Sequence, residues 1–454
     1  MAALKRDATY GDVVDAVAEG EITHEEWRAE VAEAAAEEEQ QSKSPRKAKL
    51  MMILAAMGPG IISAMAGNDA GGITTYSTAG ADFGYGTLWA VPVMCILLMV
   101  VQTTAARMGA VTGKGFAALI RERFGIRLTA LAMIALLVGN VATTFSEFAG
   151  IAGGMELFGI PRFVSVPISA GIVWLLVVKG SYKSIEKIFL AISLVFLTYV
   201  VAAFLAGPDW GDVAKATLIP RMQGSGYYVS VIIAMIGATI APWMMFYTQS
   251  NVVDKGVSDS PDELMCQKVD AVSGSVVACC VTWFIIVTTG AVLFPQGIAV
   301  DSAAAAAQAL TPFVGEYAQI LFAAGLVAAS FLAACVLPIS TSFVICEAFG
   351  WEASLDCTWK EAPAFKGIFT GVIVISAVFM LIPNLDLVFI MIATQFVNGI
   401  ILPVLLVFMA LIAADKRIMG KHRAGMLGRT LIWFTIVIVT VLTIALIVME
   451  FLGL

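Results

Sequence analysis

The sequence has 454 residues, of which 59% are hydrophobic and only 13% are charged, and its mean hydropathy of +0.90 excludes an ordinary soluble domain. The formal net charge of −7 comes largely from one acidic stretch at residues 12–39, and there is no basic patch of the kind that binds nucleic acid. We therefore expect the lipid bilayer, and no nucleic acid, as a partner.

Apolar segments follow one another along most of the chain. A membrane-spanning helix needs about 20 apolar residues to cross roughly 30 Å of hydrocarbon. Segments of this kind predict eleven transmembrane helices, near residues 50–80, 84–111, 128–155, 163–179, 185–206, 227–253, 270–295, 316–348, 365–382, 386–414 and 429–452. The polar segment 1–49 precedes them and is unlike a cleavable signal peptide, so we expect it to stay in the cytoplasm.

The lysine and arginine residues test this count independently. Cytoplasmic loops collect these residues, and with the N-terminus inside, 21 of the 27 fall beside the predicted helices on the cytoplasmic side, while Lys5, Arg6 and Arg28 lie further out in the N-terminal segment. Arg162, Lys215 and Arg221 fall on the opposite side. The pattern predicts an integral protein of a cell membrane, prokaryotic in our interpretation, with its C-terminus on the side opposite the N-terminus. The sequence leaves the oligomeric state open and is compatible with a monomer.

The first and sixth predicted helices are interrupted. The first contains residues 58–60 (GPG) and then 67–72 (GNDAGG), a poor sequence for a continuous helix. The sixth contains residues 237–242 (GATIAP), where proline removes a backbone donor. Broken helices at matching positions of two halves point to a transport site, although glycine and proline also kink transmembrane helices harmlessly. The odd spacing of five helices predicts two inverted repeats and one additional helix, at residues 50–206, 227–414 and 429–454.

Two acidic residues, Asp69 and Glu147, lie deep in the predicted helices, where an unpaired carboxylate costs several kcal/mol. Asp69 lies in the break of the first helix, where unwound backbone frees carbonyl oxygens that can join it around a cation. As an alternative, Asp69 caps the second half of that helix, and the two roles are compatible. Glu147 either lines a water-filled path or accepts hydrogen bonds from hydroxyl groups.

Gln395 and Asn398 lie three residues apart and place two amides on one face of the tenth helix. Gln395 is a candidate neutral oxygen ligand, with interhelical hydrogen bonding as the alternative. Two histidines, His24 and His422, fall outside the predicted helices, so a histidine proton relay is not expected in the membrane. The sequence has no nucleophile, nucleotide-binding or zinc motif, so we expect neither an enzyme nor a bound cofactor.

Three short motifs, at residues 58–60 (GPG), 79–85 (AGADFGY) and 112–114 (TGK), resemble the Nramp family of divalent metal transporters, and the similarity runs through the tenth helix. The resemblance implies an all-α polytopic fold of the amino-acid-transporter type, with inverted repeats of five helices. The family's helix-one motif, Asp-Pro-Gly-Asn, corresponds to Asp69-Ala70-Gly71-Gly72. Its helix-six motif, Met-Pro-His, corresponds to Ala241-Pro242-Trp243.

These departures change the metal site that the resemblance implies. The family's methionine is a soft ligand that favours manganese and iron, and Ala241 replaces it here, while Gly72 replaces the asparagine ligand. What is left is an oxygen-only set of Asp69, backbone carbonyls near Ala66 and Ala238, Gln395 and water. That set suits Mg²⁺, which is hard and keeps several of its waters. The sequence therefore resembles the Nramp-related magnesium transporter branch.

The residues that couple transport to protons in the family are also largely absent. They correspond to Thr144, Glu147 and Thr248, so the resemblance leaves one titratable group of three. Uptake without protons is energetically sufficient, because a doubly charged ion that moves down a potential of about 100 mV gains roughly 4.6 kcal/mol.

We therefore predict a secondary transporter that takes up partly hydrated Mg²⁺ by alternating access, uncoupled from protons. The first alternative keeps the fold and carries Mn²⁺ with proton coupling. The second is an amino-acid transporter, because broken helix ends also bind carboxylates. The third is a membrane receptor that no longer transports.

Overall fold

The computed structural model describes residues 69–178, 198–352 and 359–452 of the protein. The N-terminal segment 1–49, the first predicted helix up to residue 68, which includes Ala66, and residues 179–197 lie outside the described residues. The predictions made for these segments stay predictions.

Every regular element within the described ranges is helical, as the predicted fold class requires. The longer helices are α1 (Ala70–Phe83), α2 (Ala90–Thr112), α3 (Phe116–Leu157), α4 (Arg162–Val178), α5 (Thr198–Ala206), α6 (Trp210–Leu218), α7 (Gly226–Thr239), α8 (Pro242–Asp254), α9 (Pro261–Val292), α10 (Ala318–Phe349), α11 (Pro363–Met380), α12 (Leu387–Ala414) and α13 (Met426–Leu452). Shorter helices lie at Ala303–Ala307, Thr311–Val314 and Lys416–Met419, and 3₁₀ turns at Phe294–Gln296, Gln308–Leu310, Gly315–Tyr317 and Gly420–His422.

Eight helices of the described ranges are long and apolar enough to cross a membrane, when α7 and α8 are counted as one, and α4, with 17 residues, is shorter. These helices correspond to nine of the eleven predicted ones. The first and fifth predicted helices are described only from Ala70 and from Thr198 onward, as α1 and α5.

Two helices begin earlier than predicted, because helical turns extend beyond the apolar segments. Helix α3 begins at Phe116, and its charged first turns are joined to the apolar part through a kink at Gly125, where φ is +75° and ψ is 173°. Helix α9 begins at Pro261, with Ser260 as its N-cap and Pro261 in the first helical turn. Hydropathy alone does not register such polar extensions.

Glycine allows a close contact between helices α7 and α12. A Cβ atom at Gly237 would lie 2.1 Å from the carbonyl oxygen of Gln395, and one at Gly399 would lie 2.5 Å from that of Ile233. Small residues of this kind let helix backbones approach within a membrane. The helices α3, α7 and α12 all contact α1, and together they position the first turn of α1.

Candidate metal site

Asp69 precedes α1 and caps it. Its backbone is extended (φ −73°, ψ 172°), and its Oδ1 accepts a hydrogen bond of 2.6 Å from the N–H of Gly72. The residue is 4% exposed. The N-terminus of a helix carries unpaired N–H groups and a partial positive charge, both of which stabilise a carboxylate there. The capping role considered for Asp69 is therefore present, and Oδ2 is left to other partners.

Gln395 of α12 supplies one of those partners. Its Nε2 lies 3.3 Å from Oδ1 and 3.2 Å from Oδ2 of Asp69, while its Oε1 accepts a hydrogen bond of 3.1 Å from Nδ2 of Asn398. Nδ2 of Asn398 also donates to Oγ1 of Thr143 at 2.8 Å. The amide nitrogen, and not the predicted oxygen, faces Asp69, so ligation by Gln395 requires its amide to rotate by 180°.

Glu147 of α3 meets the same end of α1. Its Oε2 accepts a long hydrogen bond of 3.4 Å from the N–H of Ala70, and its side chain is completely buried. Its Oε1 has no hydrogen-bond partner among the described residues. The two deep carboxyl groups that the sequence pointed to are thus brought together at one helix N-terminus.

The break in the sixth predicted helix is confirmed. Helix α7 ends at Thr239, and α8 restarts after Ala241, whose backbone is extended (φ −61°, ψ 135°). The carbonyl of Ala238 would normally accept a hydrogen bond from residue 242, but Pro242 has no N–H. That oxygen therefore lacks its helical donor, and its role as a backbone ligand stays a prediction.

Gly72, in the first turn of α1, lies between Asp69 and Ala238 of α7. A Cβ atom there would lie 3.0 Å from Oδ1 of Asp69 and 3.8 Å from Cβ of Ala238. The position of the family's asparagine therefore adjoins the carboxylate and offers no side-chain donor. Ala241 caps α8 without a side-chain hydrogen bond.

Tyr76 belongs to this region, although the sequence analysis did not identify it. Its hydroxyl lies 2.9 Å from Oγ1 of Thr239, and this contact joins α1 to the last residue of α7. Tyr76 follows Asp69 by seven residues, which is close to two helical turns, so it lies on the same side of α1. That spacing is the signal that would have identified it.

Three other predicted residues are engaged elsewhere. Trp243 is buried, packs against Tyr247 with ring centroids 5.8 Å apart, and has an indole N–H without a partner among the described residues. Thr144 donates to the carbonyl of Asn140 in its own helix at 2.7 Å. Thr248 donates to Oε1 of Gln102 at 2.5 Å. In the described part of the chain, no hydrogen bond links Thr144, Glu147 and Thr248 to one another.

The donor set as a whole is small and made of oxygen and nitrogen atoms. The described ranges contain no group of three or more histidine, cysteine, aspartate or glutamate side chains that would hold a metal ion by themselves. An ion at Asp69 would therefore complete its coordination with backbone carbonyls, the Gln395 amide and water.

Comparison with known proteins identifies similar chains. The family model described as "Natural resistance-associated macrophage protein-like" (Nramp) matches residues 60–449. The "Divalent metal cation transporter MntH" of Deinococcus radiodurans is 29% identical over 286 residues, which span 61% of this chain and 65% of that protein.

Solved structures resemble the chain over more of its length. A crystal structure of the Eremococcus coleocola manganese transporter matches with 25% identity and a TM-score of 0.71, over 88% of this chain and 87% of that one. A structure of MhsT in complex with L-phenylalanine matches with 14% identity and a TM-score of 0.54, over 85% and 98% of the two chains, and this likeness concerns the fold alone. These matches and the eight apolar helices identify an integral membrane protein with the predicted all-helical, amino-acid-transporter-like fold.

Proposed function

Because this chain belongs to the Nramp family, we propose that it carries a divalent metal ion across the membrane by alternating access around Asp69, and that its cargo is partly hydrated Mg²⁺. The family relationship supports a metal transporter over an enzyme, an amino-acid transporter or a receptor. The cargo is inferred from the residues around Asp69.

The observation that carries the choice of Mg²⁺ is the position of Gly72. It adjoins both Asp69 and Ala238, so no side chain from this position enters the space beside the carboxylate. Ala241, in the break of the other helix, adds no sulfur. Carboxylate, carbonyl and water oxygens suit Mg²⁺, whereas a thioether would favour softer transition metals. The space left by two missing side chains suits an ion that keeps part of its hydration shell.

The absence of proton coupling is the second part of the proposal. Thr144 and Thr248 cannot titrate at physiological pH, and both hydroxyls donate to other groups. Glu147 alone cannot form a chain of titratable groups across the membrane. Membrane potential and the Mg²⁺ gradient would then drive uptake.

Proton-coupled transport of Mn²⁺ is the competing function. The likeness to a manganese transporter over 88% of the chain favours it, and so does the unpartnered buried oxygen of Glu147. Comparing uptake of Mg²⁺, Mn²⁺ and Ca²⁺ into proteoliposomes distinguishes the two. A preference for Mn²⁺ over Mg²⁺ would refute the Mg²⁺ proposal.

The role of Asp69 is tested with Asp69→Asn. Asparagine caps a helix as well as aspartate does, so this variant keeps the hydrogen bond to Gly72 and removes the charge. We expect it to fold and to lose Mg²⁺ uptake. The matched control is Asp209→Asn, because Asp209 caps α6 by accepting from the N–H groups of Gly211 and Asp212. Undiminished uptake by Asp69→Asn, with the control active, would contradict the proposal.

A further inference from the structure

A cavity of about 290 Å³ lies between α2 and α9, away from Asp69. Its walls include Thr103 and Arg107 of α2, and Leu264, Met265 and Lys268 of α9. The distribution of lysine and arginine residues predicts that this end of both helices faces the cytoplasm. The proposed transport mechanism does not use this cavity.

Two cationic side chains enter the cavity from opposite walls. Arg107 is partly buried, and its Nε is inaccessible to solvent and has no hydrogen-bond partner among the described residues. Lys268 is exposed. In the described part of the chain, neither residue forms a salt bridge. A partly buried guanidinium without an anionic partner is costly, so the cavity is suited to an anion.

The nearby acidic residues lie outside the lining of the cavity. Asp262 and Glu263, in the first turn of α9, are not among the residues that line the cavity. The carboxylate of Glu263 instead accepts a hydrogen bond from the N–H of Ser258, in the loop before α9. Asp270, two residues after Lys268, does not line the cavity either.

The position of the cavity indicates that its ligand comes from the membrane. Arg107 lies five residues before the end of α2, about 7–8 Å inside the helix end; with that end taken as the membrane surface, this is the depth of lipid headgroups. The same cavity has an apolar wall, and Met265 is 45% exposed beside Lys268. A ligand that fits both parts has a phosphate at one end and hydrocarbon at the other.

We propose that this cavity binds the phosphate headgroup of an anionic phospholipid of the cytoplasmic leaflet, with Arg107 and Lys268 contacting the phosphate oxygens. Basic pockets between transmembrane helices on the cytoplasmic side suit such headgroups, and the planar guanidinium of arginine matches phosphate geometry. A lipid held there joins α2, from the first predicted repeat, to α9, from the second. The bound lipid therefore stabilises the contact between them.

Thermal unfolding of the full-length protein in detergent tests this proposal. We expect dioctanoyl phosphatidylglycerol to raise Tm by about 2–4 °C, and the same amount of dioctanoyl phosphatidylcholine to raise it by much less. The double variant R107Q/K268Q should lose the response to phosphatidylglycerol. The matched control K416Q/R423Q removes the same charge from two other exposed positions on the predicted cytoplasmic side. This control should keep the response to phosphatidylglycerol.

A cavity-filling variant and a measurement with inorganic phosphate complete the test. If R107Q/K268Q does not fold, Thr103→Phe fills the cavity and leaves both charges in place, and it too should lose the response. A full shift with inorganic phosphate alone would identify a soluble anion as the ligand and overturn the lipid proposal. An equal shift in the cavity variants and the control would overturn the site itself.

Discussion

The amide nitrogen of Gln395 lies 3.2 Å and 3.3 Å from the two carboxylate oxygens of Asp69. Gln395 is itself oriented by Asn398, whose Nδ2 donates to its Oε1 at 3.1 Å. An ion that binds Asp69 must therefore displace the amide N–H group or turn the amide so that its oxygen faces the ion. In the proposed transport cycle, Gln395 therefore takes part in ion binding in either case.

Replacing Gln395 by leucine should lower the apparent affinity for Mg²⁺ by about tenfold or more. The substitution removes the amide oxygen that a rotated Gln395 side chain would offer to the bound ion, and a polar contact to a charged group contributes about 1.5–3 kcal/mol. The measurement is the Mg²⁺ concentration dependence of proteoliposome uptake. Gln296→Leu is the control, since Gln296 is exposed and donates only to the carbonyl of Val292. Unchanged affinity would show that Gln395 is not involved.

Introducing a thioether at Ala241 should shift selectivity toward soft ions. Ala241→Met places sulfur in the helix break, and sulfur ligands favour transition metals over Mg²⁺. We expect the preference for Mn²⁺ over Mg²⁺ to rise about tenfold in competition assays. Ile240→Met, one residue earlier in the same break, is the control and should change it little. Equal selectivity in both variants would argue against an ion position next to Ala241.

Uptake of Mg²⁺ should leave the internal pH of proteoliposomes unchanged. The reason is the loss of titratable side chains at Thr144 and Thr248, which leaves Glu147 without a relay. A pH-sensitive dye inside the vesicles reports any proton flux, and a protonophore controls for passive leak. A stoichiometric pH change that disappears in Glu147→Gln would show that Glu147 still couples protons to the metal.

Gly237→Ala should destabilise the protein strongly. The added Cβ would lie 2.1 Å from the carbonyl oxygen of Gln395 and 2.4 Å from the backbone nitrogen of Gly399, so α7 and α12 must separate. Overpacking of this kind costs about 1–3 kcal/mol. The expected result is a lower Tm in detergent. Gly371→Ala in α11 is the control, because its Cβ would have no atom within 4 Å. An unchanged Tm would mean that the two helices adjust at little cost.

Much of the fold follows from residues whose effect is local. Pro242 has no backbone N–H in any structural context, and the sixth predicted helix is interrupted directly before it, as predicted. Asp69 precedes a helix and caps it, which the sequence also indicated. Apolar length identified nine helices that the structure describes, because each must cross the same thickness of hydrocarbon.

The remaining details depend on tertiary contacts that no local pattern reports. The direction of the Gln395 amide is set by Asn398 and Thr143, the second of which lies 252 residues away in the chain from Gln395. The contact between Tyr76 and Thr239 likewise joins two helices that are distant in sequence. Helix spacing gives the side on which such residues lie, but not their partners.

The N-terminus of α1 has a consequence for the step of a transport cycle in which the empty carrier returns to its starting conformation. A carrier without protons or another counter-ion must reset after the ion has left, with two carboxyl groups still in a medium of low dielectric constant. The backbone N–H groups of Gly72 and Ala70 then serve Asp69 and Glu147. In the proposed uncoupled cycle, the positive end of a helix thus takes over part of the cargo's charge, and the return step would need no second substrate.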